Sequence, residues 1–290
     1  MIDREALVLA RIERAVVLLQ AHLFDEPPLE LAKLAEAAAL SPFHFHRLYR
    51  LVTGETCGQT QSRLRLAAGA KHLSAAASVT EAALQCGFSS SQAFAKAMKR
   101  QVALSPSQLR DDPELLDNII NRLSQPASGN QANPQGWLAV ELVSLAPMHL
   151  ITVRTEHLYP DLFDTYTRLF EAVGGPQHLE AIIGIPRDDS AQQAGVFDSA
   201  LLLSEAVTGV PDDLFWQDSA AGLYLRTRHN GSFDGLEAAV DNLYLTLLGM
   251  DALWPADTPC IYHYLDDPDM VEEEQLRTDI YLPVIQTDSE

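Results

Sequence analysis

The sequence predicts two domains, an all-α domain followed by an α+β domain, and three observations lead to this fold class. The chain has 290 residues, enough for about two domains of ordinary size. A segment rich in Pro, Gly, Asn, Gln and Ser, without charge or apolar periodicity, occupies residues 124–136 and is typical of a linker. The pattern before it is helical almost throughout, whereas strand-like runs follow it, separated by helical stretches at 161–173 and 234–248. We therefore expect one domain at 1–123 and another at 137–290.

Charge is distributed unevenly between these two parts. The whole chain has a formal net charge of −20, from 20 Lys and Arg against 40 Asp and Glu. As an average, that excess of acid argues against a chain that binds nucleic acid, because phosphates repel it. Residues 1–124, however, hold 14 basic and 13 acidic side chains, and residues 40–110 alone have a balance of +7. The acidity belongs to residues 125–290, whose balance is −21.

Cysteine and histidine spacing predicts neither a metal site nor a disulfide framework. Cys57, Cys86 and Cys260 lie far apart in the chain, and His44 and His46, two positions apart, would point to different faces of a helix. The amino-terminal apolar run is interrupted by charges, which predicts an amphipathic helix and not a signal peptide. No segment approaches the ~20 apolar residues of a membrane span. We expect a cytoplasmic protein without cofactor, metal or membrane partner.

Two segments of the first domain, residues 34–50 and 82–99, share one layout. Each has a short helix, a small residue (Ala39 or Gly87), an apolar residue, a serine and a second helix. Small residues are needed where two helices meet at a steep angle over a turn of three to four residues. Gly87 can adopt a positive φ without strain, whereas Ala39 is the weaker choice for such a turn. This layout predicts two helix-turn-helix units.

The second helix of each unit has an apolar stripe and a polar stripe on opposite sides. The apolar stripes contain Phe45, Leu48 and Tyr49 in the first unit, and Phe94 and Met98 in the second. The outward stripes carry candidate DNA-binding residues, which are Phe43, His46, Arg47, Arg50, Gln92, Ala95, Lys96 and Lys99. Residues that can read bases, with cations a turn later, suit a helix that enters the major groove. The alternative is that both stripes are solvated faces of an ordinary helical bundle.

Residues from about 8 to 110 resemble an AraC-type DNA-binding domain. The motifs that carry the resemblance are SPFHFHRLYR from residue 41, TG from 53, GFSS from 87 and SPSQLR from 105. The resemblance implies a transcriptional regulator with seven helices, among them a long one at about 58–76 between the two units. It also implies that both recognition helices enter successive major grooves on one face of double-stranded operator DNA, and it adds Ser91 to the candidate DNA-binding residues. Two departures from the family are Met98, where an aromatic residue is common, and the run TGETC at 53–57, where the pattern Thr-Gly-(x)-Ser is usual. Ala95 offers a base only a methyl group.

The second domain contains a repeat. The sequence RTEH at 154–157 recurs as RTRH at 226–229, 72 residues later, and each copy ends a strand-like run and precedes an amphipathic helix. The strand-like run that begins at Asp198 corresponds to the run that begins at Asp279. A strand-helix-strand unit made twice predicts a domain with pseudo-twofold symmetry.

Residues from about 138 to 286 resemble the GyrI-like, or effector-binding, domain. The motifs are RTRHNG from residue 226, YHYLDDP from 262 and LRTDIYLP from 276. The resemblance implies a cleft that holds cationic or amphipathic small molecules between aromatic walls and a buried carboxylate. The implied effector-binding residues are Asp279, Tyr281, Tyr224, Trp216, Phe163 and Tyr166. The alternative is that these aromatic side chains belong to the core and that Asp279 is a surface or capping residue.

Three functions fit these domains. In the first, the chain is a one-component regulator whose acidic domain binds a small molecule and passes the change to the DNA-binding domain or to RNA polymerase. In the second, the acidic domain is a hydrolase, because some GyrI-like domains resemble enzymes that open reactive rings with a Glu and a Tyr. In the third, the acidic surface mimics DNA or binds a protein partner. The sequence offers neither a nucleophile motif nor a phosphate-binding loop, so we expect a regulator and not an enzyme.

Overall fold

The computed structural model describes residues 4–74, 78–125, 139–155, 162–187, 196–205, 207 and 209–287. Described residues up to 125 are helical, and those from 139 form an antiparallel sheet with helices, which confirms the predicted fold class. The predicted linker lies outside the described residues from position 126 onward.

The chain forms two compact units, and neither is a continuous stretch of sequence. One unit comprises Leu9–Ala38 and Tyr49–Gln131. The other comprises Met1–Val8, Ala39–Leu48 and Ala132–Glu290. The segment Ala39–Leu48, which contains the turn of the first helix-turn-helix and the start of its second helix, therefore clusters with the sheet.

Eight α-helices lie in the described part of the chain before residue 126. They are α1 (Arg4–Ala21), α2 (Leu31–Ala37), α3 (Pro42–Thr53), α4 (Cys57–Leu73), α5 (Val79–Gln85), α6 (Ser91–Val102), α7 (Pro106–Arg110) and α8 (Pro113–Ser124). The first seven lie within the range of the resemblance. Helix α4, predicted to end near residue 76, ends at Leu73, and residues 75–77 are outside the described part.

The two predicted turns have the backbone conformation that their small residues suggested. Gly87 has φ +74° and Ala39 has φ +50°, so both lie in the left-handed region. After α5, the amide of Phe88 donates to the carbonyl of Ala83 at 3.1 Å, which satisfies one of the carbonyls left open at a helix end. Alanine pays a steric penalty in this region that glycine does not, so the turn at Ala39 is the strained one.

The predicted apolar stripes form the core. The side chains of Phe45, Leu48 and Tyr49 on α3, and of Phe94 and Met98 on α6, are fully buried. Burying apolar surface of this size is the main force that fixes the orientation of a helix, at about 1.5–3 kcal/mol for each fully buried side chain. The outward direction of the opposite stripe follows from this burial.

A buried ion pair connects the end of α3 with α4 and α8. The guanidinium of Arg63 donates from Nε to both carboxylate oxygens of Glu55 at 3.0 Å, and from Nη1 to the carbonyl of Leu123 at 2.6 Å. Thr60 donates to the same carboxylate at 2.9 Å and accepts from the hydroxyl of Tyr49 at 2.7 Å. Because each member of this network has a partner, the charges are tolerated away from water.

The described residues from 139 onward form a nine-stranded antiparallel sheet with two long helices. The strands are β1 (Glu141–Leu145), β2 (His149–Thr155), β3 (Leu179–Arg187), β4 (Val196–Leu203), β5 (Phe215–Asp218), β6 (Gly222–Asn230), β7 (Leu253–Pro255), β8 (Ile261–Tyr264) and β9 (Arg277–Gln286). The helices are α9 (Leu162–Ala172), against β2 and β4, and α10 (Leu236–Leu248), against β6. Both helices lie where the sequence predicted them.

The order of strands in the sheet is β1-β6-β9-β8-β3-β4-β2-β5, with β7 paired to β9, and it shows the predicted duplication. In each half, the last long strand lies between the other two: β4 between β2 and β3, and β9 between β6 and β8. The pairing of β3 with β8 joins the halves. The edge strands are exchanged between the halves. Strand β1 comes before the first half in the chain but pairs with β6 of the second half, and β5 comes before the second half but pairs with β2 of the first half.

An arginine–aspartate pair with the same geometry lies at the equivalent position of each half. Arg154 bonds Asp198 through Nε at 2.6 Å and Nη2 at 2.9 Å, and Arg228 bonds Asp279 in the same way at 2.7 and 2.9 Å. The counterpart of Arg154 is therefore Arg228, whereas the four-letter echo predicted Arg226. The repeated letters place the counterpart of Arg154 two residues too early, because the strand register is set by the aspartate opposite each arginine and not by the letters. Residues 156 and 157 of the echo are outside the described part.

The strained turn gives a matched pair of stability predictions. We expect Ala39→Gly to raise the free energy of unfolding by up to about 1 kcal/mol, because glycine removes the steric cost of positive φ. Gly87→Ala should lower it by about 1 kcal/mol, since an added Cβ would lie no closer than 3.7 Å to the Arg65 side chain and only the backbone conformation opposes it. Urea unfolding of the full chain measures both. Changes of the same sign in the two variants would contradict this account.

Candidate functional site

Helix α6 presents its predicted DNA-binding stripe outward. Gln92, Lys96 and Lys99 are exposed, and Ser91 and Ala95 are half-buried. The side chain of Ser90 caps the helix by accepting from the amide of Ala93 at 3.1 Å, so the stripe begins at a well-defined first turn. These side chains can reach a ligand that approaches α6 from outside.

Helix α3 differs from this prediction at one position. Phe43, His46 and Arg50 are half-buried, but Arg47, predicted to point outward, is only 3% exposed. Its Nη1 lies 2.6 Å from Oδ1 of Asp241 and its Nη2 lies 3.0 Å from Oε2 of Glu237, both on α10. The expectation of an exposed Arg47 was wrong, because helical periodicity orients a side chain without revealing which distant segment covers it.

A cavity of about 750 Å³ opens between α9 and the loop after β8. Such a volume is in the range of small-molecule sites. Its aromatic lining includes Phe163, Tyr166 and Phe170 from α9, together with Phe233 and Tyr264. Phe163 is 60% exposed, so one aromatic face lies open to solvent at the cavity. Phe233 and Tyr264 pack edge to face with ring centroids 5.1 Å apart, which gives the opposite wall a defined shape.

The cavity is acidic as well as aromatic. Glu180, Asp266, Asp267 and Asp269 line it, whereas the only histidine among the described lining residues is His263. Burial lowers the pKa of His263; nearby Asp279 opposes this shift and Arg228 adds to it. A histidine with a lowered pKa is neutral near pH 7, so it does not offset the carboxylates.

One of these carboxylates is engaged by the protein. Asp266 accepts from Nε and Nη2 of Arg277 at 2.9 and 2.7 Å, and this hydrogen-bonded guanidinium lowers the pKa of the Asp266 carboxyl group. Asp267 accepts from the amide of Asp269 at 2.9 Å, which shapes the loop that carries both. The carboxylates that can face a ligand cation in this lining are therefore those of Glu180, Asp267 and Asp269.

Two of the six predicted effector-binding residues, Phe163 and Tyr166, line this cavity. The hydroxyl of Tyr166 donates to the carbonyl of Ile183 at 2.6 Å, so this side chain offers the cavity its ring. Tyr224 and Tyr281 pack edge to face at 6.3 Å in an apolar cluster of the sheet. Trp216, on edge strand β5, stacks on His149 at 4.6 Å.

Asp279 is neither a surface residue nor a helix cap. Its side chain is 4% exposed, it is held by Arg228, and Arg226 lies 3.6 Å from it. It faces the cavity residue His263 across the β8–β9 ladder. Its role as the counter-ion of a ligand stays a prediction, since its charge is already matched by protein guanidinium groups.

Sequence reasoning missed the acidic part of the cavity lining. The available signal was the block at 262–268, in which two tyrosines and a histidine precede two aspartates. This block carried the resemblance but was not assigned to the site. Glu180 gave no such signal, because it enters the lining through the path of β3.

The part of the chain that the structure describes has neither a metal-binding cluster nor a membrane-spanning helix. No group of three or more His, Cys, Asp or Glu side chains there could hold a metal ion. None of the described helices is long and apolar enough to cross a membrane.

Two family models match the chain. One, described as a helix-turn-helix domain, matches residues 34–112, and the other, described as a GyrI-like small molecule binding domain, matches residues 138–285. The second match covers half of the chain.

Curated relatives match the amino-terminal part. The right origin-binding protein of Escherichia coli is 35% identical over 104 residues, which are 36% of this chain and 35% of that protein. The bifunctional transcriptional activator/DNA repair enzyme Ada of Escherichia coli is 33% identical over 94 residues, 32% of this chain and 27% of that protein. This chain thus spans about a third of the length of these relatives. A solved structure, the EcmrR C-terminal domain, covers 52% of this chain and all of its own at 12% identity, with a TM-score of 0.45.

The two equivalent aspartates provide a test of what Asp279 does. We expect Asp279→Asn and Asp198→Asn each to lower the free energy of unfolding by about 2 kcal/mol, because each removes the charge partner of an arginine. The figure is below that for a fully buried pair, since both arginine side chains are 44% exposed and water can solvate them. Urea unfolding measures the loss. An unchanged stability in Asp279→Asn alone would mean that its ion pair is not structural.

Proposed function

We propose that this chain binds DNA and regulates transcription in response to a small molecule. The chain belongs to the family with a GyrI-like small molecule binding domain, and it carries an AraC-type helix-turn-helix domain ahead of that domain. The observation that carries the proposal is the combination of two surfaces in one chain. One is the exposed polar and cationic stripe of α6, and the other is the acidic, aromatic cavity beside α9.

The DNA-binding part of the proposal rests on charge and on side-chain chemistry. Residues 40–110 have a balance of +7 within a chain whose total is −20, so positive charge is concentrated in the stretch that contains both recognition helices. Gln92 and Lys96 can bond adenine and guanine edges respectively, and Lys99, close to one turn further, suits a phosphate. The relatives named above include a transcriptional activator and an origin-binding protein, which supports the same interpretation.

The sensing part of the proposal rests on the cavity. Aromatic rings attract a cation through their negative faces, and carboxylates add direct charge attraction. The volume of about 750 Å³ accommodates a drug-sized molecule. We therefore assign the effector to the class of cationic or amphipathic small molecules, bound between Phe163 and the loop that carries Asp267 and Asp269. Transmission of the signal to RNA polymerase and a cytoplasmic location remain predictions.

The proposed DNA contact predicts a loss of affinity on Lys96→Ala. The full chain should bind a duplex enriched from a randomised pool about 1–3 kcal/mol more weakly, because a base-contacting cation is removed. Fluorescence anisotropy at fixed salt measures the dissociation constant. Lys71→Ala removes the same charge from an exposed position on α4 and should cost much less. Equal losses of DNA affinity in the two variants would mean that Lys96 contributes only general charge attraction.

The proposed effector site predicts stabilisation by ligand. Among matched cationic and neutral amphiphiles, cationic members should raise the melting temperature of the full chain, because a molecule that binds only the folded state stabilises it. Phe163→Ala should abolish the shift, whereas Phe24→Ala, the same change at an exposed phenylalanine of the helical unit, should leave it intact. A panel without any stabilising compound would contradict the sensing role. Chemical turnover of a bound compound would favour the hydrolase alternative.

A further inference from the structure

One face of α10 is built to hold a cation. Glu237, Asp241 and Tyr244 lie at positions i, i+4 and i+7 and therefore share a side of the helix. The sequence of α10 contains no Lys, Arg or His. The apolar face of the same helix, which includes Val240, is buried. The acidic face is thus presented away from the core of its own domain.

This face is occupied by the start of α3, within a single compact unit. The guanidinium of Arg47 bonds Asp241 at 2.6 Å and Glu237 at 3.0 Å, and its Cζ lies 5.9 Å from the centroid of the Tyr244 ring. The contact includes neutral groups as well. His44, 1% exposed, hydrogen-bonds the Tyr244 hydroxyl group through Nδ1 and the carbonyl of Ala256 through Nε2.

We propose that the acidic face of α10 is a docking surface for the DNA-reading face of α3, and that DNA and α10 compete for Arg47. The inference rests on the proposed DNA binding. In the docked chain, Glu237 and Asp241 bond Arg47 in the way that a guanine edge or a phosphate of DNA would bond it. The carboxylates of the acidic domain act as an internal mimic of the nucleic acid.

The competition follows from the geometry of the guanidinium group. Its forked N–H donors bond two acceptors side by side, and carboxylate oxygens, phosphate oxygens and the O6 and N7 atoms of guanine all satisfy them. Arg47 is 3% exposed while it bonds α10, so it cannot contact a base without leaving both carboxylates. The exchange replaces one set of charge-assisted bonds with a similar set. DNA therefore shifts the balance to the extent that its acceptors bond Arg47 more strongly than the two carboxylates do.

Two further contacts, beyond the ion pairs of Arg47, make the docking specific to this part of α3. Phe43 lies against the guanidinium of Arg187 from β3, with Cζ 5.4 Å from the ring centroid. Together with His44, this fixes the helix in a defined position that charge attraction alone would not select. Helix α6 keeps its stripe exposed, so the docked chain retains one of its two recognition helices for DNA. Docking therefore weakens DNA binding and does not abolish it.

The experiment compares DNA affinity among full-length variants at one salt concentration. The double variant Glu237→Gln/Asp241→Asn should lower the dissociation constant for a selected duplex about tenfold, because it removes the competing carboxylates. Its control, Glu273→Gln/Glu274→Gln, removes the same charge from exposed positions and reports the general electrostatic effect. Tyr244→Phe changes no charge and should lower the dissociation constant about threefold by removing the bond to His44. Adding Arg47→Ala to the double variant should remove most of its gain, since both act through one contact.

Each result decides the proposal. Tighter binding by the double variant and by Tyr244→Phe, with the control unchanged, supports docking. Equal gains in the double variant and its control, or no gain while the wild-type chain binds DNA, overturn docking and leave the proposed DNA binding intact. Failure of every variant and of the wild-type chain to bind duplex overturns both. Melting temperatures identify any variant that fails to fold. If the double variant does not fold, the DNA affinity of Tyr244→Phe provides the test.

Discussion

A charge that leaves water must find an opposite charge, and this constraint determines much of how the chain is organised. In the helical unit, Glu55 and Arg63 satisfy it and thereby connect three helices. In the sheet, Asp198 and Asp279 satisfy it through Arg154 and Arg228, once in each half. Forming such a pair costs desolvation free energy, and removing one partner costs more, because a buried charge is left unpaired. These pairs therefore specify the register of the elements more than they add stability. The pairing of Arg47 with α10 follows the same rule, but between segments that the sequence assigned to different domains.

The duplication of the sheet explains where the cavity lies. One wall comes from α9 in the first half, and the other comes from the end of β8 and the loop after it, residues 263–269, in the second half. The two walls meet because β3 pairs with β8, so the seam between the halves is also the floor of the cavity. Phe233, which belongs to the same lining, begins the short turn Phe233–Gly235 that leads directly into α10. A molecule in the cavity therefore contacts the segment that leads into the acidic face of α10.

Local chemistry could be predicted from the sequence, and contacts between distant segments could not. The 3.6-residue periodicity placed Phe45 and Phe94 in the core, and the small residues Ala39 and Gly87 located both turns. The correspondence of Asp198 with Asp279 was correct because both aspartates begin similar strand-like runs. The burial of Arg47 was missed, since nothing in a helical pattern says what will cover an outward face. Strands β1 and β5 were missed as well, because they are short and gain their stability from partners elsewhere in the chain.

The exchange of the edge strands has a consequence for the integrity of the acidic domain. If a protease cut the chain between β4 and β5, the first fragment would hold β1 and the second would hold β5. Each fragment would then supply an edge strand to the other, through β1 with β6 and β5 with β2, while β3 and β8 would remain paired between them. Three strand pairings would join the pieces across the missing peptide bond. A nicked domain would stay assembled under native conditions, and the cut would become visible only after denaturation.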